Sequence, residues 1–157
     1  MNKFIGVSLT LLMVASLASA AVIESPASLI GISDELARVF TDKGFASGAI
    51  VDRRTASVLA KTKEFKATPA EVNSIVRNMF GAWYIEGITV LLGGVKYDLV
   101  ETPRENLVAQ NGKNGIVVSQ IGSGKWAIGV YGQKLTRDQA EDRIQNVAEE
   151  LRKLQKA

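Results

Sequence analysis

Between Gly87 and Tyr131 the chain sets out a succession of short strand-like runs: Gly87–Leu92, Lys96–Val100, Asn106–Gln110, Gly115–Ile121 and Lys125–Tyr131. Tight breaks such as Gly93-Gly94, Asn111-Gly112 and Gly122-Ser123-Gly124 part them. Parallel neighbours need a crossover of a dozen or more residues, and no gap here provides one. The runs are therefore confined to an antiparallel meander, whose apolar faces must be covered by the segments that flank it.

The flanks supply that cover. From Ser28 onward, Leu29, Ile32, Leu36, Val39 and Phe40 recur at helical spacing and Gly44 supplies the stop. At the other end Thr136-Arg137-Asp138-Gln139 forms a capping box, after which Ala140, Ile144, Val147, Leu151 and Leu154 share one helix face. Ser47–Asp52 and Ala56–Thr62 read as a hairpin across Arg53-Arg54-Thr55. Thr68-Pro69-Ala70-Glu71 starts a short helix to about Met79, because proline suits the first helical turn and Thr68 and Glu71 make a second capping box. The class is α+β, a central antiparallel sheet with the N- and C-terminal helices on one face and the short helix on the other.

The chain has 157 residues, 46% of them apolar, enough for one core and no second domain. That core is assigned to residues 25–157, with residues 1–24 as a hydrophobic extension and Ala21–Ala27 as a linker. In the extension, Asn2-Lys3 precede an uncharged run from Phe4 that closes on Ala18-Ser19-Ala20, the layout of a secretory signal peptide. With no cysteine and no histidine, disulfides, thiolate metal sites and the usual proton shuttle are excluded. A net charge of +3 is too small for a strong nucleic-acid binder.

Few side chains suggest chemistry. Gly122-Ser123-Gly124-Lys125 is too short for a phosphate loop and leads into a strand at Trp126. Asp138, Glu141 and Asp142 sit where a helix dipole favours acids, so no metal site is required. Lys61, Lys63 and Lys66 surround Phe65, which reads either as a solvated loop or as a small patch for phosphate head groups. Trp83-Tyr84, Trp126 and Tyr131 read as core or groove residues. No nucleophile is paired with a base, so the chain reads as a non-enzyme with no cofactor.

Several strings, taken in order, resemble the profilin family. They are Phe65-Lys66-Ala67-Thr68-Pro69-Ala70-Glu71-Val72, Gly93-Gly94-Val95-Lys96-Tyr97, Gly112-Lys113-Asn114-Gly115-Ile116, Ala127-Ile128-Gly129-Val130-Tyr131 and the closing Ala148–Leu154. The match runs from about Ser28 to the end. The resemblance implies a cytoplasmic, monomeric, cytoskeletal protein that binds monomeric actin and regulates its polymerisation. The implied actin face uses Lys96, Leu99 and Glu101, Lys113 in the next hairpin, and Arg137, Asp138, Glu141, Asp142, Gln145 and Asn146 on the last helix.

Two features depart from the familiar pattern. Glu101 and Asp142 stand where profilins often carry basic residues, and reversed rim charges oppose encounter. The family's proline-rich ligands stack on aromatic side chains, yet the matching positions here are Leu29, Ile32, Leu59, Glu150 and Leu154. The expectation is weak or absent binding of proline-rich peptides. Aliphatic substitution and the long N-terminus look most like the divergent profilins of actin-bearing archaea, which resemble eukaryotic ones in responding to phosphoinositides. The alternatives are a roadblock- or longin-like dimeric scaffold for small GTPases and an exported ligand-binding domain. A cleaved leader conflicts with a cytosolic partner, and the ordered strings outweigh it.

Overall fold

A computed structural model describes the backbone of residues 26–80, 87–101, 106–122 and 124–156. Side chains are described for 34–79, 87–100, 106–122 and 124–154. The extension of residues 1–24 and the Trp83-Tyr84 pair thus lie outside the described residues. The chain divides into two units, residues 1–32 and 33–157. The described part of the first is the opening backbone of helix α1 (Pro26–Asp42). Pro26 and Ala27, assigned above to a linker, are already helical, since proline fits the first turn without a lost hydrogen bond.

The second unit holds seven strands and two further helices. β1 (Ser47–Asp52) and β2 (Val58–Lys61) form the expected hairpin, and α2 (Pro69–Phe80) follows. The meander is β3 (Thr89–Leu92), β4 (Val95–Glu101), β5 (Asn106–Asn111), β6 (Asn114–Ile121) and β7 (Lys125–Tyr131), and α3 (Arg137–Lys156) closes the chain. One antiparallel sheet runs β2-β1-β7-β6-β5-β4-β3.

Local chemistry fixes the boundaries. β2 starts at Val58 because Ala56 is left-handed at φ 58° and cannot continue a strand. Asp52 Oδ1 holds that turn by accepting the N–H groups of Arg54 and Thr55 at 2.8 and 2.9 Å. The same bonds, Thr55 first, keep the Asp52 carboxyl below its ordinary pKa. Gly93 and Gly94, at φ 60° and 78°, make the two-residue β3–β4 turn with the paired positive angles of a type I′ hairpin. Both expected capping boxes form: Thr68 Oγ1 accepts from Glu71 N at 3.2 Å, and Thr136 Oγ1 from Gln139 N at 3.3 Å.

Strand alternation divides the interior in two. On the α1 and α3 side, Val108, Val117, Ile121, Ala127 and Tyr131 pack with Leu36, Val39, Phe40, Ile144, Val147 and Leu151. On the α2 side, Leu107, Ala109, Ile116, Val118, Trp126 and Ile128 pack with Phe65, Val72 and Ile75. The first side depends on bare backbone beneath aromatic rings. A Cβ on Gly48 would fall 2.3 Å from the Phe40 ring, and one on Gly115 2.3 Å from that of Tyr131. These glycines let the helix layer settle onto the sheet at ordinary packing distance.

Candidate interaction face

α3 has two flanks with different neighbours. Arg143 Nη1 donates to the Lys43 carbonyl at 2.9 Å, and Glu150 pairs with Lys43 Nζ at 3.1 Å, so one flank meets the end of α1. On the opposite flank Gln145, Glu149 and Arg152 border a cleft with Asn106 of β5 and Ser119 and Gln120 of β6. Helical spacing carries that stripe back through Glu141 to Asp138.

Beyond this flank the sheet is open. In β3 and β4 the residues turned toward α2 are buried, namely Val90, Leu92, Tyr97 and Leu99. Their alternates Thr89, Leu91, Lys96 and Asp98 are exposed, Leu91 to 42%. The helix layer therefore covers only part of one sheet face. What remains is a shallow surface edged by α3, with charged groups among a little apolar area. Such a surface suits docking of a macromolecule, and among its described residues no nucleophile is paired with a base.

The implied actin residues divide accordingly. Lys96 is exposed on β4, and Asn111 Nδ2 donates to its carbonyl at 2.9 Å, tying β4 to the β5–β6 end. Lys113 is exposed in that hairpin turn, after Gly112 at φ 59°. Arg137 pairs with Glu141 at 2.9 Å across one helical turn, and Asp138 is exposed in the first turn of α3. Gln145 looks into the cleft, while Asp142 and Asn146 lie on the outer, solvent-facing side. Leu99 is corrected: at 8% exposure it belongs to the core under α2 and offers no side chain to a partner. Glu101 ends β4 opposite Val108, and its side chain lies outside the described residues.

The residues of the degenerate groove fall on different elements. Glu150 and Leu154 both lie on α3, Leu154 at 44% exposure. Leu59 is exposed on β2, but its neighbour Ala60 packs into the core beneath the terminal helices. Leu59 has no partner in the β1–β2 pairing, because the register shifts opposite Ile50 and Val51. The side chains of Leu29 and Ile32 lie outside the described residues.

Other expectations resolve simply. Trp126 and Tyr131 are core residues, and the Tyr131 hydroxyl accepts from Gln110 Nε2 at 3.1 Å. Burial pushes the Tyr131 pKa up, and that hydrogen bond opposes it. Phe65 is buried at 1% exposure, with Lys61, Lys63 and Lys66 exposed around it. Among the described residues no cluster of acids could hold a metal ion, and no helix is long and apolar enough to cross a membrane.

A sheet of this order with terminal helices on one face and a short helix on the other defines a small α+β fold. The profilin family model matches residues 32–156, and the chain belongs to the profilin family. Acanthamoeba castellanii profilin IA superposes with a TM-score of 0.68 at 19% identity, covering 78% of this chain and 97% of its own. LokiProfilin1 gives a TM-score of 0.60 at 21% identity, covering 81% and 97%. LokiProfilin2, solved in complex with rabbit actin, gives 0.59 at 20% identity with the same coverage. The resemblance to the Loki archaeal profilins follows the expectation drawn from the sequence. A search of curated proteins found no match.

Proposed function

We propose that the chain binds monomeric actin through the open face of β3–β4, the β5–β6 turn and the adjoining flank of α3, and so regulates polymerisation in the cytoplasm. The observation that carries this reading is the uncovered sheet beside α3, in a family member whose structural neighbours include one solved in complex with rabbit actin. On this reading Lys96, Lys113, Arg137, Asp138, Glu141 and Gln145 border the contact, and Asp142 and Asn146 lie at its rim. The protein acts as a monomer, and phosphoinositides modulate it through exposed lysines such as Lys61, Lys63 and Lys66. Proline-rich peptides bind weakly or not at all, because Leu154 and Glu150 offer no flat ring to stack against.

The test is assembly of pyrene-labelled rabbit actin with rising amounts of the full chain. Slowed spontaneous polymerisation that saturates supports the reading. Unchanged assembly, together with no binding to monomeric actin, rejects it.

A further inference from the structure

Asn106, which lines the cleft beside α3, carries an acceptor that the fold does not use. Asn106 is 7% exposed, yet its Oδ1 is buried without a hydrogen-bond partner. Such an atom ordinarily destabilises a folded chain, and nearly all buried polar atoms are satisfied. It opens β5 and borders a space of about 280 Å³ together with Ser119, Gln120, Gln145, Glu149 and Arg152.

The charges of this lining are unevenly committed. Arg152 Nη2 is engaged with the Gln120 carbonyl at 2.9 Å. Glu149, three residues earlier on the same helix, makes no ion pair among the described residues. The lining thus holds one buried neutral acceptor without a donor and one exposed carboxylate without an ion partner. Their complement is a group carrying several N–H donors and a positive charge.

We infer that this cleft receives a lysine or arginine side chain of the docked actin subunit, its N–H groups shared between Asn106 Oδ1 and the Glu149 carboxylate. The inference rests on the proposed actin reading and names the pocket within that face. Asn106 is then a specificity residue whose cost in the free protein is recovered on binding, because the missing donor arrives with the partner.

This assignment makes stability and affinity respond with opposite signs. The similarly sized Asn106→Leu removes the unpartnered acceptor, so its Tm stays level or rises, while affinity for monomeric rabbit actin falls about tenfold. Glu149→Gln weakens binding about fivefold and reduces its dependence on salt, because one charge pair is gone. Both variants are measured as full chains beside the wild type, at low and raised salt. Wild-type affinity retained in Asn106→Leu overturns the cleft assignment while leaving actin binding intact. A lowered Tm in that variant shows that Oδ1 serves the fold, and likewise overturns it. If Asn106→Leu binds weakly but Glu149→Gln is unaffected, the ligand is not cationic and the assignment fails. A wild type that does not bind actin removes both this inference and the reading beneath it.

Discussion

Glu71 offers a perturbation whose size can be worked out from the structure. Its carboxylate accepts the Thr68 backbone N–H at 2.8 Å, completing the capping box at the start of α2. The same group accepts from Gly93 N at 3.2 Å and Gly94 N at 3.0 Å, clamping the β3–β4 turn to the helix. Donation from these amides, Thr68 first, holds the Glu71 carboxyl below its ordinary pKa. Hydrogen bonds to a charged group contribute about 1.5–3 kcal/mol when buried, but here water can replace the carboxylate at each donor. We therefore expect Glu71→Ala to cost about 1–2 kcal/mol in total, a Tm drop of roughly 5 °C at neutral pH. The sign of the pH dependence follows from the lowered pKa. The contribution is fully present above the ordinary carboxyl range and is lost as pH falls through the folded-state value. Urea or thermal unfolding of wild type and Glu71→Ala should thus diverge at pH 7 and converge in acid. A variant as stable as wild type at pH 7, or a difference unchanged in acid, would refute the clamp.

Three further outcomes follow from the packing and charge. Gly48→Ala drives a methyl into the Phe40 ring and should cost about 2–3 kcal/mol in urea unfolding, whereas Gly124→Ala meets open space and should change stability by less than about 0.5 kcal/mol. Thr136→Ala removes the hydroxyl that caps α3 and should lower stability by about 1 kcal/mol, an effect that Thr136→Ser largely spares. Lys113→Glu reverses an exposed charge in the β5–β6 turn, and the proposed contact predicts several-fold slower association with actin at low salt, fading as salt rises.

Much of the fold could be read along the chain because its signals are local. Capping boxes at Thr68 and Thr136, a Gly-Gly turn and a run of closely spaced strands specify their elements through neighbours a few residues away. The burial of Leu99 was legible too. It follows Tyr97 by two positions and Lys96 by three, so a period of two places it with the core and not with the exposed lysine. The place of Leu59 outside the regular pairing was harder to see. A register shift between Ile50 and Val51 breaks the hairpin's simple alternation, and only the pairing with β1 reveals it.

The amino-acid sequence by itself determined which segments are helix and strand, that the strands pair antiparallel, and that the chain is a profilin. The first two rest on hydrophobic period, turn residues and caps, all interactions of short range, and the third on the ordered strings that resemble the family. Tertiary structure alone decided the cleft. Asn106, Ser119 and Glu149 carry no motif, and they converge because β5 and β6 pair while α3 crosses back over them from the far end of the chain. The Glu71 clamp has the same origin, since its donors stand 22 and 23 residues away and only the docking of a hairpin turn on α2 brings them within hydrogen-bond reach.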